Sequence, residues 1–224
     1  MRAIEHIVAW NQRVTAGETP SSWPADDCAA SLPLVALTCI DPRLNAHFPN
    51  VLGLREEQFI WLRNAGNIIF GTTSTMTRSI SLACALKGGQ EIAVIGHTDC
   101  AVRKASMNDL LDRFRALGIA RDQLPDDLRE FFGLFASERD NVIRGVDFVR
   151  RSPLIGAAIP VHGLLIDVTN GRLEWVVNGY EAWTGVVPQL PPEPPSPPAL
   201  PPLPSNVEIA PRGRSLRPFK SPFR

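Results

Sequence analysis

Short apolar runs alternate along this chain with longer segments whose apolar residues follow a helical spacing. The apolar runs predict strands over residues 34–39, 57–62, 91–95, 159–168 and 172–177. Apolar residues three or four positions apart predict helices over residues 3–14 and 72–87, and further helices around Leu110, Phe131 and Val146. Strands that alternate with helices predict an α/β fold with a mostly parallel central sheet, flanked by helices.

The last predicted strand should run antiparallel to the strand before it. Asn170 and Gly171 separate the two strands, and this dipeptide is a strong signal for a tight hairpin. Pro160, near the start of the preceding strand, has no N–H to donate and limits pairing there. The predicted sheet is therefore parallel except for an antiparallel last strand.

A change in composition at Pro188 predicts a domain boundary. Ten of the 17 residues from 188 to 204 are proline, and the last 14 residues are basic and contain Phe219 and Phe223. Such a proline-rich segment favours an extended spacer over a helix or a sheet. We therefore predict a folded domain over residues 1–187 and a disordered tail over residues 188–224. The tail is either an appendage without a fixed role or a tether for a protein partner or an assembly shell.

Composition argues against several classes of protein. The chain has 23 basic and 23 acidic residues and a formal net charge of zero, which does not favour binding to nucleic acid. No apolar run approaches the roughly 18 residues that a membrane-spanning helix needs, and the first residues do not resemble a secretory signal. In a reducing cytoplasm, which we take as the expected location, the four cysteines are more typical of metal binding or catalysis than of disulfides.

Polar residues with metal-binding chemistry follow two of the predicted strands. Cys39 ends the first strand, and His97 and Cys100 follow the third. Ligands in open α/β sheets bind beyond the carboxyl ends of the strands, so these side chains should meet at one edge. Two thiolates and one imidazole form a three-ligand zinc set, and catalytic zinc sites keep the fourth position for water. The alternative is that Cys39 and Cys100 are buried structural cysteines.

An acid–base pair accompanies the first of these ligands. Asp41 lies two residues after Cys39 and two residues before Arg43. A nearby guanidinium lowers the pKa of a carboxylate, so Arg43 would keep Asp41 ionised and able to orient a water on the metal. A purely structural ion pair is the alternative. His47, also close in sequence, is either a proton shuttle or a surface or capping histidine.

The combination of these motifs resembles the β-class carbonic anhydrases. The motifs are Cys-x-Asp-x-Arg at 39–43, Arg-Asn-Ala-Gly-Asn at 63–67 and Gly-His-Thr-Asp-Cys at 96–100, and the resemblance extends over residues 3 to 180. The Thr-Asp pair after His97 is similar to the branch that includes archaeal carbonic anhydrases and the hydrolases of carbonyl sulfide (COS) and carbon disulfide (CS2).

This resemblance implies a zinc lyase. It implies that Cys39, His97 and Cys100 bind Zn²⁺ and that Asp41 and Arg43 form a catalytic dyad, which orients zinc-bound hydroxide. The implied reaction is the reversible hydration of CO2 to bicarbonate and a proton, in a homodimer or higher homo-oligomer. The backbone at Ala65 and Gly66 is implied to line the substrate pocket, although it could also be a simple turn.

One residue departs from the family pattern. Members usually have glycine after the second cysteine, where this chain has Ala101. Alanine adopts positive φ less readily than glycine, so a turn that needs such a conformation would be strained here. The sequence leaves open two other functions, hydrolysis of COS or CS2 by the same hydroxide and a zinc-stabilised scaffold without turnover.

Overall fold

A five-stranded sheet runs through this computed structural model, which describes residues 2–20 and 27–181. The strands are β1 (Leu34–Cys39), β2 (Phe59–Asn64), β3 (Glu91–His97), β4 (Val161–Ile166) and β5 (Leu173–Val177). Their order is β2-β1-β3-β4-β5, with parallel pairing throughout except between β4 and β5. The predicted fold class and the antiparallel last strand are confirmed.

Six α-helices are described around the sheet. They are α1 (Ala3–Thr15), α2 (Thr75–Lys87), α3 (Ala101–Lys104), α4 (Met107–Ala116), α5 (Leu128–Phe132) and α6 (Glu138–Arg150). No helix in the described ranges is long and apolar enough to cross a membrane. The predicted tail over residues 188–224 lies outside the described residues.

Three predicted strands, the second, third and fourth, were wrong by two residues at one or both ends, and the third ends at His97 rather than residue 95. The second strand begins at Phe59 rather than residue 57, because Glu56–Gln58 forms a 3-10 turn. The side-chain oxygen of Gln58 accepts from the N–H of Arg55 at 3.1 Å and stabilises this turn. The fourth strand covers Val161–Ile166 rather than residues 159–168. Pro160 precedes this strand and has no N–H to donate. Its carbonyl oxygen accepts from the N–H of Ile92 at 2.9 Å.

Alternate residues of each central strand enter two separate apolar layers. Leu34 and Ala36 of β1 pack in a layer that includes Ile7 of α1. Val35 and Leu37 pack in a second layer on the other face of the sheet. All residues of β1 and β3 are buried, which explains why these strands appear in the sequence as nearly continuous apolar runs.

The helix α6 packs directly on the sheet because glycines face it. A Cβ atom added to Gly163 would lie 2.7 Å from Cγ1 of Val142, and one added to Gly96 would lie 2.6 Å from Cγ2 of the same valine. Such distances are too short for carbon atoms, so a side chain at either position would push α6 away. This close approach keeps α6 against the carboxyl end of β3.

A buried carboxylate fastens α1 to the opposite end of the sheet. Glu91, the first residue of β3, accepts hydrogen bonds from the N–H of Ala3 at 3.1 Å and from the hydroxyl of Tyr180 at 2.6 Å. His162 Nε2 lies 3.5 Å from the same carboxylate. Burial opposes ionisation, but the contacts with His162, Tyr180 and Ala3 outweigh it and hold the pKa of Glu91 below its ordinary value. The carboxylate therefore remains charged in the folded protein.

Replacing this carboxylate by an amide should destabilise the fold. We expect Glu91→Gln to lower the free energy of unfolding by about 2 kcal/mol at pH 7, since the amide replaces one acceptor oxygen by a donor. Because the folded pKa of Glu91 is depressed, its contribution is complete above the unfolded pKa of about 4.3 and is lost as the pH falls through the folded pKa. The difference between variant and wild type should therefore shrink below about pH 4.

Urea unfolding at pH 7, 5 and 3.5 measures this difference. The exposed Glu56→Gln variant is the matched control and should change stability by less than about 0.5 kcal/mol. A Glu91→Gln variant as stable as wild type at pH 7 would contradict the role assigned to this carboxylate.

Candidate metal centre

Three soft ligand atoms meet at the carboxyl edge of the sheet. Cys39 is the last residue of β1, His97 is the last residue of β3, and Cys100 directly precedes α3. Their sulfur and nitrogen atoms lie within 4.8 Å of one another. The three residues are at most 3% exposed. The predicted convergence of these side chains is confirmed, and the group can hold a metal ion.

The imidazole of His97 presents an unpaired nitrogen to this group. Its Nδ1 lies 2.8 Å from the carbonyl oxygen of Thr98, which can only accept, so Nδ1 carries the proton. The buried Nε2 then has a free lone pair, and it has no hydrogen-bond partner among the described residues. A metal ion would satisfy this nitrogen, and a backbone carbonyl on the other ring nitrogen is a common arrangement for a metal-binding histidine.

The side chains of Cys39 and Cys100 are hydrogen-bonded and shift each other's pKa in opposite directions. The hydrogen bond with Cys100 holds the pKa of the Cys39 thiol well below its ordinary value against the opposing effect of burial, with further contributions from His97 and the N–H of Gly66. The pKa of Cys100 is raised, first by its bond to Cys39 and then by burial. Metal ligation requires thiolates, and the lowered pKa of Cys39 favours that form. The donor set therefore fits a soft divalent metal.

Asp41 and Arg43 form a bidentate ion pair beside the Cys39, His97 and Cys100 group. Arg43 donates from Nε to Asp41 Oδ1 at 3.0 Å and from Nη2 to Oδ2 at 2.7 Å. The side-chain hydrogen bond from Arg43 is the main reason that the pKa of Asp41 falls to about 2. The Oδ2 atom of Asp41 lies 4.0 Å from Nε2 of His97. An ionised carboxylate is thus present at the edge of the ligand group.

Arg63 fixes the turn that carries Cys39 and Asp41. It donates to the backbone carbonyl of Cys39 at 2.9 Å and to that of Asp41 at 2.7 Å. Its guanidinium also stacks over the ring of Trp61 at 4.3 Å. Sequence reasoning did not assign this role, although Arg63 begins the Arg-Asn-Ala-Gly-Asn motif and could have been considered.

Gly66 contacts the sulfur of Cys39 directly. Its N–H donates to Sγ of Cys39 at 3.2 Å, and its carbonyl accepts from Nδ2 of Asn141 at 2.8 Å. Its φ is +70°, and an added Cβ would lie 2.9 Å from a ring carbon of Phe135. Glycine is required here by both the backbone conformation and the space. The neighbouring Ala65 lines an adjoining apolar cavity of about 490 Å³ with residues of α3, α4 and α5.

Glu138 supports the second cysteine from the start of α6. Its Oε1 accepts from the backbone N–H of Cys100 at 3.3 Å and from Nε of Arg103 at 2.6 Å. Both Glu138 and Asn141 follow Cys100 by about forty residues. No local sequence signal connects them to the site, so sequence reasoning missed them.

The departure at Ala101 does not fall on a residue with positive φ. Ala101 is the first residue of α3, and the residue of this turn with positive φ is Asp99, at +60°. Aspartate tolerates this region better than most residues. The condition for strain at Ala101, a turn that needs positive φ there, is therefore not met. His47 places Nε2 2.9 Å from the carbonyl oxygen of Val168, a structural contact with the turn after β4.

Comparison with known proteins identifies the family. The carbonic anhydrase family model matches residues 34–173. The protein named "Putative carbonic anhydrase YtiB" of Bacillus subtilis (strain 168) is 32% identical over 153 residues, which cover 66% of this chain and 82% of that protein. A carbon disulfide hydrolase of Acidithiobacillus thiooxidans is 30% identical over 149 residues, which cover 60% of this chain and 72% of that protein.

Solved structures agree in fold. The β-carbonic anhydrase isoform I of Trichomonas vaginalis superposes with a TM-score of 0.62 at 28% identity, covering 80% of this chain and 100% of that one. The carbonic anhydrase of Streptococcus mutans gives a TM-score of 0.55 at 25% identity, covering 79% and 98%. With the motifs, the strand order and the Cys-His-Cys group in place, this chain belongs to the β-carbonic anhydrase family.

Proposed function

We propose that this protein binds zinc through Cys39, His97 and Cys100 and catalyses the reversible hydration of CO2 to bicarbonate and a proton. The observation that carries the proposal is the meeting of these ligand atoms, within 4.8 Å of one another, beside the ionised Asp41. Bound zinc would supply a Lewis acid that brings the pKa of water close to 7. The chain's own residues would do the remaining work.

Asp41 would orient the attacking water. Its carboxylate is held by two hydrogen bonds from Arg43, so it presents a fixed, charged acceptor to one proton of that water. Its low pKa makes it a weak base, so it would position the water rather than remove the proton. Fixing the lone pair of the water toward the carbon of CO2 contributes to rate through orientation.

The backbone at Gly66 and Ala65 would form the wall of the substrate site. The N–H of Gly66 is directed at Cys39 Sγ, which would moderate the charge of that thiolate. Ala65 lines the adjoining apolar cavity, and an apolar surface suits an uncharged linear substrate. These assignments extend the proposal from the ligands to the substrate pocket.

Hydrolysis of CS2 or COS is the second candidate. Carbon disulfide hydrolases from three organisms are 27% to 30% identical to this chain. Both substrates have the linear geometry of CO2, and the same ligands and dyad would serve. Access and pocket shape would then decide the preference among the three.

The proposed assembly is a homodimer or higher homo-oligomer. Leu82 and Leu86 on α2 are 56% and 73% exposed in the single chain, and a subunit contact would cover apolar side chains of this kind. Light scattering measures the assembly, and a monomer at micromolar concentration would contradict the prediction. The cytoplasmic location stays a prediction.

The substrate is decided by three parallel assays of the zinc-loaded protein. Stopped-flow measurement of CO2 hydration should give the largest kcat/KM, with slower sulfide release from COS and CS2. A larger kcat/KM for CS2 or COS would replace the first candidate by the second. No turnover of any substrate with one zinc bound per chain would favour a zinc-stabilised scaffold.

Ligand and dyad substitutions separate metal binding from catalysis. Cys39→Ala and Cys100→Ala should lose zinc, since two remaining ligands hold the ion poorly. Asp41→Asn should keep zinc and lose about 100-fold in kcat, because a neutral amide orients water less well. Metal analysis and stopped-flow rates measure both effects, with Cys84→Ala as the matched control that retains zinc and rate. Full activity in Asp41→Asn would refute the role of the dyad.

Removing the proposed tail tests the domain division. A chain that ends at residue 187 retains every proposed ligand and dyad residue, so we expect unchanged zinc content and kcat. Metal analysis and the hydration assay compare it with the full chain. A large loss of either would mean that residues 188–224 belong to the catalytic domain.

A further inference from the structure

Asp99 occupies an unusual backbone position between two proposed ligands. It lies in the turn from His97 to Cys100 with a φ of +60°. Among the non-glycine residues that the structure describes, only Asp99 and Asn67 have positive φ. A residue held in this sparsely populated region often has a functional reason.

Asp99 holds the far side of Arg43. Its Oδ2 accepts from Nη1 of Arg43 at 2.8 Å, and its backbone carbonyl accepts from Nη2 at 3.0 Å. Its Oδ1 accepts from Nζ of Lys104. The Asp99 carboxylate thus links the turn after β3 to the turn after β1 through the guanidinium of Arg43.

The guanidinium of Arg43 lies between the carboxylates of Asp41 and Asp99. Nε and Nη2 donate to Asp41, and Nη1 donates to Asp99. Arg43 is half-exposed, with 45% of its side chain accessible, whereas the side chain of Asp41 is 9% exposed. A long, accessible arginine samples many rotamers unless a second partner restrains it. Asp99 supplies that restraint.

We propose that Asp99 is a positioning residue that holds Arg43 in the orientation in which Arg43 aims Asp41 at the metal centre. The proposal rests on the proposed function, because Asp99 acts through the dyad. Exposed ion pairs contribute little to stability. The loss of Asp99 should therefore appear in turnover and in the mobility of Arg43, with little change in the unfolding temperature.

The variant Asp99→Asn tests this role with little disturbance of the backbone. Asparagine also tolerates positive φ, and the change removes the charge and one of the two acceptor oxygens. We expect kcat to fall about 10-fold, as is common when a residue that orients an active-site group is changed, with zinc content and unfolding temperature unchanged. Asp112→Asn is the control, since it breaks an exposed pair with Arg115 elsewhere and should leave kcat unchanged.

A double-mutant cycle distinguishes positioning from a general structural effect. In an Arg43→Leu background, Asp99→Asn should cost nothing further, because Asp99 acts through Arg43. An equal loss in both backgrounds would overturn the proposal, and so would wild-type kcat in Asp99→Asn.

A second measurement does not depend on turnover. The Nε–H of Arg43, identified in ¹⁵N–¹H spectra by its absence in Arg43→Leu, should exchange with solvent several-fold faster in Asp99→Asn than in wild type. An unchanged exchange rate would overturn the proposal. If wild type turns over none of the three substrates, the proposed function fails, and the exchange rate still decides whether Asp99 restrains Arg43.

Discussion

The burial of two thiols and one imidazole at a single sheet edge is the constraint on which this structure depends. Each of these three residues is almost inaccessible, and Nε2 of His97 lacks a hydrogen-bond partner among the described residues. Buried polar groups without partners are costly. A soft cation bound by the three residues would remove that cost for His97, so folding and metal binding would support each other.

Hydrogen bonds between residues distant in sequence hold the turns at this edge of the sheet. Arg63 holds the turn after β1, Glu138 holds the N–H of Cys100, and Asn141 holds the carbonyl of Gly66. Two of these residues lie on α6, which approaches the sheet closely because Gly96 and Gly163 leave room for Val142. The packing of one helix therefore contributes to the geometry of the turns around Cys39 and Cys100.

The opposite end of the sheet carries a separate polar cluster. There, Glu91 is the first residue of β3 and bonds to Ala3 and Tyr180, while His97 ends the same strand. One strand thus links a cluster that fastens α1 with the proposed metal centre. Changes in the two clusters should separate experimentally, since the first affects stability and the second affects metal content and rate.

The sequence alone predicted the fold class, the antiparallel last strand and the meeting of Cys39, His97 and Cys100 at one edge of the sheet. Apolar runs ending in Cys39 and at His97 are local signals, and parallel strands must bring their carboxyl ends to one edge. Only the tertiary structure revealed the roles of Glu138 and Asn141, because their contacts with the site span 38 and 75 residues. It also placed the positive φ of this turn at Asp99 rather than at Ala101, since φ depends on where α3 begins. Local pattern specifies which residues end a strand, whereas contacts across elements depend on how helices pack.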